Sequence, residues 1–411
     1  MKRTYQFKIR PGKDMVARFE KTLDACRYLY NACLFQRKIA YRDWNISMTA
    51  FDQNKQIPDV VSGLPEYYKD VHSQVLQDVT RRAGKSFSNF FKRVKSRHGP
   101  AGYPRYKSRS RYQSFTYPQS GWKLEDNRLI LSGLGKVKMV MSRRFAKTAK
   151  VKTVTIKRDN CGDWFAMFSF QIDNLVEPIV GPVPVERTVG IDVGINKLAV
   201  LSDGSFVENP KFLKPMEKKL KRLHRQLSRK VKGSSNRRKA IGKLAREYRK
   251  LTRKRNDYLH KTSQYLVDNY DLIAFEDLKI KNMVRNHNLA KSILDGCWRT
   301  LRQFTTYKAE DAGKIVSVVE PKNTTRECSV CGELHKISLS ERFLHCRHNN
   351  IEFCIDRDLN SGINIRQRAF KKLGWEPPDV KPVELGPLWP ISGLVVSLGC
   401  ETRNPLATAS G

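Results

Sequence analysis

Three widely separated stretches of this chain deliver a carboxylate where an apolar run stops. Val189-Gly-Ile reads as a buried strand ending on Asp192, and Leu272-Ile-Ala-Phe275 as a second ending on Glu276 and Asp277. Open α/β sheets gather their chemistry at the C-terminal ends of such strands. Asp356-Arg-Asp358-Leu-Asn360 opens an expected helix and supplies a third acid. Carboxylates brought from separate elements suit two hard cations held about 3.5–4 Å apart, one activating water and the other steadying a leaving phosphoester oxygen. Acids at strand ends are also common as helix caps or solvent-facing groups. Spacing alone leaves open the choice between Glu276 and Asp277, and between Asp356 and Asp358.

Soft donors crowd into a different region. Of nine cysteines, four fall between Cys328 and Cys354, while Cys26, Cys33, Cys161, Cys297 and Cys400 are scattered. Clustering of this kind in a reducing compartment points to metal. Cys328-Ser-Val-Cys331-Gly332 has the form of a zinc half-site, two thiolates on a tight turn with a glycine beneath the ion. The second half is less regular. Cys346 is followed by His348 and Asn349 where a paired thiol belongs, so the fourth donor is expected to be Cys354 or His348, with His345 a weaker choice. Four such donors make a closed, structural Zn²⁺ site.

The rest of the chain must position these groups and bring a substrate to them. Its 411 residues allow two or three domains, and 78 Lys and Arg against 40 acids give a formal net charge of +38. Charge of that size selects polyanions and makes their affinity fall steeply with salt. No apolar run reaches the roughly 20 residues of a membrane span, and the N-terminus shows no signal sequence. A cytoplasmic, nucleoid-associated protein without a membrane partner is expected, nuclear if the source is eukaryotic.

Tyr5, Phe7 and Ile9 predict a strand stopped by Pro11-Gly12, and the three-to-four spacing of Met15, Phe19, Leu23, Cys26, Tyr30 and Cys33 predicts a helix after it. A second stripe, Val75, Val79, Ala83, Phe87, Phe90 and Val94, carries Arg81, Arg82, Lys85, Lys92 and Arg93 between its apolar positions. Those cations can follow a phosphate backbone. Tyr103, Arg105 and Lys107 belong to a Tyr- and Arg-rich stretch suited to base stacking and phosphate contact. Val154-Thr-Ile156, a turn over 159–162, and Trp164, Ala166, Phe168, Phe170 and Ile172 predict a hairpin, which with the first strand closes a small barrel. A Pro-rich linker over 177–184 introduces the second half. Leu220, Leu223 and Leu227, then Ile241, Leu244, Tyr248 and Leu251, predict a helical hairpin around Gly233, its outer face dense in Lys and Arg. The tail after Phe370 has no sustained period and is expected to be loosely ordered.

Gly190-Ile-Asp192-Val-Gly194, Phe275-Glu276-Asp277-Leu278, Thr325-Arg-Glu-Cys328-Ser-Val-Cys331-Gly332 and Asp356-Arg-Asp358-Leu-Asn360-Ser-Gly-Ile-Asn364-Ile365, in that order, resemble the TnpB family. These are transposon-encoded RNA-guided DNA endonucleases, relatives of the type V CRISPR effectors. Phe7-Lys-Ile-Arg-Pro11 and Cys26-Arg-Tyr-Leu-Tyr-Asn31 extend the likeness toward the start. The resemblance implies an α/β multidomain chain. It comprises a β-barrel wedge domain (1–10 and 101–178), an inserted helical recognition domain (11–100), an RNase H-like RuvC nuclease domain (185–321 and 355–370), a zinc-ribbon-like insertion (322–354) and a tail (371–411). It implies Asp192, Glu276 and Asp358 as catalytic acids working with Mg²⁺ or Mn²⁺. Cys328, Cys331 and Cys346 match three zinc ligands, to which Cys354 is added as the fourth.

Partners implied by the resemblance are a guide RNA from the transposon end and double-stranded target DNA beside a short flanking motif, with one protein copy per RNA. Base pairing then reads the sequence while protein cations hold the heteroduplex by shape. Ser73 and Gln77 lie where the family places DNA contacts, and Arg299 and Arg302 are expected near the scissile strand. The alternatives are a guided DNA-binding regulator that no longer cuts, and a transposition accessory protein that binds DNA without RNA.

Overall fold

The computed structural model describes residues 2–62, 70–96, 101–145, 150–171, 176–338, 341–348, 351–380 and 389–391. The chain divides into two compact units, Met1–Asn174 and Leu175–Gly411.

The first unit pairs a seven-stranded antiparallel sheet with helices. Strand β1 (Lys2–Arg10) is followed by α1 (Lys13–Trp44), α2 (Ala50–Lys55), α3 (Ile57–Ser62) and α4 (Ser73–Ser96). Then come β2 (Ser114–Tyr117), β3 (Trp122–Glu125), β4 (Arg128–Leu131), β5 (Gly135–Val140), β6 (Lys150–Arg158) and β7 (Trp164–Gln171). The strand order is β2-β6-β7-β1-β5-β4-β3. The two edge strands are consecutive in the chain with only residues 118–121 between them, so the sheet must curl back on itself into a near-closed barrel. Phe7 and Ile9 of β1 and Trp164, Ala166, Phe168 and Phe170 of β7 point inward at period two, as the sequence pattern requires. The expected hairpin is β6–β7, turned by Asp159, whose Oδ1 accepts from the backbone N–H of Cys161 and Asp163. On α1, Phe19, Leu23, Cys26, Tyr30 and Cys33 are buried as predicted. The stripe on α4 is shorter than its spacing suggests, because Val94 is exposed.

The second unit is layered around a mixed sheet. Its elements are β8 (Thr188–Val193), β9 (Lys197–Leu201), β10 (Ser205–Glu208), α5 (Leu213–Ser228), α6 (Ser235–Asn269), β11 (Leu272–Glu276), α7 (Ile280–Met283), α8 (His287–Gly296), α9 (Trp298–Asp311), β12 (Ile315–Val319), β13 (Phe343–His348), β14 (Ile351–Asp356), α10 (Arg357–Leu373) and β15 (Trp389–Pro390). The order is β12-β11-β8-β9-β10-β15; β11 runs parallel to β8 and β12, while β8, β9 and β10 form an antiparallel meander. Alternation along the central strands assigns their two faces. Val189, Ile191, Ile273 and Phe275 pack with Tyr258 and Leu266 of α6 and Trp298 and Leu301 of α9. Leu272 and Ala274 pack on the opposite side with Ile365, Ala369 and Phe370 of α10. Helices α5 and α6 are the predicted hairpin, held by Leu220, Leu244 and Leu251, with Ile241 and Tyr248 exposed. Among the described residues no helix is long and apolar enough to cross a membrane.

The sequence-based expectation of a loose tail needs correction at two places. Helix α10 continues to Leu373, where Gly374 caps it at φ 73°, and Trp389–Pro390 adds a short parallel strand to β10. Residues 381–388 and 392–411 lie outside the described residues.

One contact fixes α10 on the sheet. A Cβ built on Gly190 would stand 2.0 Å from the carbonyl oxygen of Gly362 and 2.5 Å from the amide nitrogen of Arg366, both backbone atoms. Backbone cannot step aside as a side chain can. Gly190→Ala is therefore expected to lower unfolding stability by about 3 kcal/mol or more. A thermal or urea unfolding curve superimposable on that of the unaltered protein would refute this packing.

Candidate active site

Strand register brings the first two acids together. Leu272 lies beside Thr188 and Phe275 beside Ile191; one further step along the same parallel register sets Glu276 next to Asp192. Adjacent strands are about 4.8 Å apart. By parity both acids share the face of Gly190, Leu272 and Ala274, which is the face that α10 covers. The first turn of α10 holds Asp358, so three chain segments meet at one corner of the sheet.

The electrostatics are those of buried carboxyls, with like charges beside Asp192. The Asp192 carboxyl is pushed well above the usual range, first by burial, then by Glu276 and Asp358 and more weakly by Asp356, with Arg357 opposing. Glu276 is raised chiefly by burial, against which the Thr324 hydroxyl and Arg368 work. Thr324 donates a hydrogen bond to Glu276 Oε1. Asp358 Oδ2 accepts from Arg342 Nη1 at 2.9 Å, and its Oδ1 has Arg357 Nη2 at 3.5 Å. A cluster of partly desolvated carboxylates can be relieved by protons or by a hard divalent cation, and its all-oxygen donor set suits the latter.

The neighbouring acids are engaged elsewhere. Asp356 caps its own helix, its Oδ1 accepting from the amides of Asp358 at 2.8 Å and Leu359 at 3.2 Å. Asp277 is exposed and pairs with Arg302 at 3.1 Å. Arg302 also donates to the Glu276 carbonyl oxygen at 3.3 Å, while Arg299 is exposed beside it on α9. Both line a cavity of about 350 Å³ that includes Phe275, Glu276, Ile280 and Trp298.

The metal cluster differs from expectation in its fourth member. Cys328, Cys331, Cys346 and His335 each present a donor atom, all within 4.8 Å of one another. His335 Nε2 is buried and has no hydrogen-bond partner, as a ring nitrogen reserved for a metal would be. Cys331 Sγ and Cys346 Sγ are 3.4 Å apart. Burial and the two neighbouring thiols push Cys346 up to about 12, a strain that zinc binding to thiolates removes. Gly332, at φ 79°, turns the chain, and its N–H reaches the Cys328 carbonyl at 2.9 Å.

Cys354 is not in this cluster. On the β13–β14 hairpin Cys346 faces Phe353 and Cys354 faces His345, so alternation turns Cys354 to the exposed side. There its Sγ lies 3.9 Å from His345 Nε2. His348 has a side chain outside the described residues. The spacing Cys328-x₂-Cys331-x₃-His335 is the signal in the sequence that points to the histidine. Nothing in the sequence marks Thr324 or Arg342.

The nucleic-acid candidates of the first unit are scattered over its surface. Ser73 and Arg81 are exposed on α4 and Gln77 is half-buried one turn from Ser73. Tyr103 sets its ring edge-on to Phe87 and Phe90, at 5.6 and 5.3 Å. Arg105 is exposed. The Lys107 backbone is pinned by Asn31, its N–H reaching Oδ1 at 2.8 Å and its carbonyl accepting from Nδ2 at 3.1 Å.

Comparison with known proteins supplies relatives. Residues 171–287 match a family model described as "Probable transposase", residues 298–365 one described as "Cas12f1-like, TNB domain", and residues 1–44 a "Helix-turn-helix domain". That last stretch folds here as β1 followed by the single helix α1. The chain is 33% identical to the Escherichia coli K12 protein named "Putative RNA-guided DNA endonuclease InsQ", covering 88% of this chain and 90% of that one. A Streptomyces pristinaespiralis protein with the same general name is 31% identical, covering 89% of each. In three dimensions the chain is similar to the protein in a cryo-EM structure of a Cas12f1-sgRNA-target DNA complex, with TM-score 0.53, 14% identity and 86% and 82% coverage of the two chains.

Two measurements test this geometry. His335→Ala is expected to lose the bound zinc that Cys354→Ser retains in full, read by elemental analysis of the purified proteins; the reverse pattern would restore Cys354 as ligand. Because Asp192 is raised in the folded state, folding takes up a proton between its unfolded value, about 3.9, and its higher folded one. Stability falls as pH rises through that window. Without added divalent ions, Asp192→Asn should melt above the unaltered protein at pH 7 by roughly a few degrees, with the gap closing toward pH 4. A gap that stayed constant with pH would contradict the raised Asp192 carboxyl.

Proposed function

The chain belongs to the TnpB family, and from that membership we propose that it is an RNA-guided endonuclease that cleaves target DNA beside a short flanking motif. The observation that carries the reading is the meeting of Asp192, Glu276 and Asp358 at one corner of the sheet, where burial and mutual repulsion raise Asp192. An antiparallel β8–β9–β10 meander extended by parallel β11 and β12 supports reading the second unit as an RNase H-like RuvC nuclease domain. Two divalent ions, Mg²⁺ or Mn²⁺, would supply an activated water and charge for the leaving oxygen.

The chain's own residues have narrower tasks. Asp192, Glu276 and Asp358 hold the cations on one face, and Arg299 and Arg302 border the cavity beside Glu276 and attract the scissile strand's phosphates. Asp277 and Asp356 are assigned no part in catalysis, being committed to Arg302 and to the helix cap. Cys328, Cys331, His335 and Cys346 hold a structural Zn²⁺. In the first unit, Ser73 and Gln77 read the flanking motif, while Arg81, Tyr103, Arg105 and Lys107 meet the guide RNA or its heteroduplex with target DNA. One protein copy per RNA is proposed, with base pairing rather than side chains reading the sequence.

Expression with its own flanking element and sequencing of the co-purified RNA tests the guide. Cleavage of a matching DNA then tests the chemistry. We expect metal-dependent cutting that Asp192→Ala lowers by about a hundredfold or more. Guided binding without cutting would identify a regulator, and binding without any defined RNA an accessory DNA-binding protein.

A further inference from the structure

The segment carrying the zinc donors touches the acid trio at two separate points. Thr324, before Cys328, is buried and donates to Glu276 Oε1. Arg342, at the foot of β13 and before Cys346, donates to Asp358 Oδ2 at 2.9 Å. Each residue is itself held firmly. The Thr324 carbonyl accepts from Asn364 Nδ2 at 2.9 Å, and the Arg342 carbonyl accepts from the Arg357 N–H at 2.8 Å.

Helix α10 fastens the zinc turn as well. Asn360 Oδ1 accepts from the Ser329 amide and its Nδ2 donates to the Glu327 carbonyl, both at 2.8 Å. Ser329 and Glu327 flank Cys328, so the donors of the zinc cluster and the helix whose first turn holds Asp358 share one hydrogen-bonded frame.

The two carboxylates are each oriented from outside the trio. Glu276 has Oε1 tied by Thr324, with no hydrogen bond to Oε2 among the described residues; Asp358 has Oδ2 tied by Arg342 at 2.9 Å and Oδ1 ion-paired with Arg357 at 3.5 Å. Glu276 is thereby oriented with Oε2 left for a cation, and Asp358 is turned by Arg342, its shorter contact. Hydrogen bonds of this kind, made to a ligand rather than to the metal, fix ligand direction and commonly alter metal affinity by about 10–100-fold.

Resting on the nuclease reading above, we propose that Thr324 and Arg342 are positioning residues. Through them the zinc-bearing segment orients Glu276 and Asp358 and so sets the affinity of the acid trio for its divalent ions. A merely structural role would change folding or zinc retention and leave that affinity alone.

The test is Mn²⁺ binding to the full chain with its guide RNA, followed by calorimetry or electron paramagnetic resonance, for Thr324→Val and Arg342→Gln. The expected result is Mn²⁺ affinity weakened by about tenfold or more, with zinc content unchanged, and partial recovery in Arg342→Lys. Cys331→Ser, which removes a zinc donor, should weaken Mn²⁺ binding in the same direction; together with Thr324→Val it decides the matter where Arg342→Gln does not fold. Unaltered Mn²⁺ affinity in these variants overturns the proposal. Asp192→Ala separates the two claims: if the unaltered protein binds no Mn²⁺ and cuts nothing, the nuclease reading itself fails. If it binds Mn²⁺, Asp192→Ala loses that binding and the positioning variants do not, only the inference about Thr324 and Arg342 fails.

Discussion

Burial of the Asp192 carboxyl beside Glu276 and Asp358 is the constraint around which this corner of the second unit is built. Three acids do not approach one another in a partly buried corner unless backbone geometry leaves them no alternative, because each would gain by moving into water. The parallel register of β8 and β11 supplies that compulsion for Asp192 and Glu276, and the seating of α10 on the sheet supplies it for Asp358. Buried apolar strands, interior glycines and an amide-rich helix face all serve the same end. On the proposed function, a folded state that tolerates such crowding would favour cations of high charge density, and the repulsion borne by the acids alone would become selectivity.

Charge elsewhere is handled in the opposite way. The excess cations lie mainly on exposed helix faces, including α5 and α6, where water screens them and they contribute little to holding the fold. Their value on the proposed function is long-range attraction of nucleic acid, which requires density rather than exact placement. Few of the surface candidates make defined side-chain contacts, and this fits a recognition scheme in which the protein holds a backbone and the paired strands carry the information.

Much of this architecture is legible in the sequence because local periodicity and local packing agree. The buried positions of α1, the β6–β7 hairpin and the apolar strands that carry Asp192 and Glu276 follow from spacing. The departures have a common physical origin. Cys354 lies outside the donor cluster because facing across a hairpin depends on register, and a one-residue offset sends a side chain to the other side. The apolar stripe on α4 stops short of Val94 because helical spacing does not reveal where neighbouring elements cease to cover it. Thr324 and Arg342 are invisible in the sequence since their partners are 48 and 16 residues away and no motif records such a pairing.

The meeting of Gly190 with Gly362 has a further bearing on how such a site persists through mutational drift. Apolar side chains around α10 can be exchanged for others of similar volume, and each exchange lets neighbouring atoms settle a little differently. A contact between two stretches of main chain has no rotamers to exchange and no volume to trade. It acts as a datum from which the position of Asp358 is measured, so exchanges in the hydrophobic surroundings of the helix would leave the distance from sheet to carboxylate where the main chain sets it.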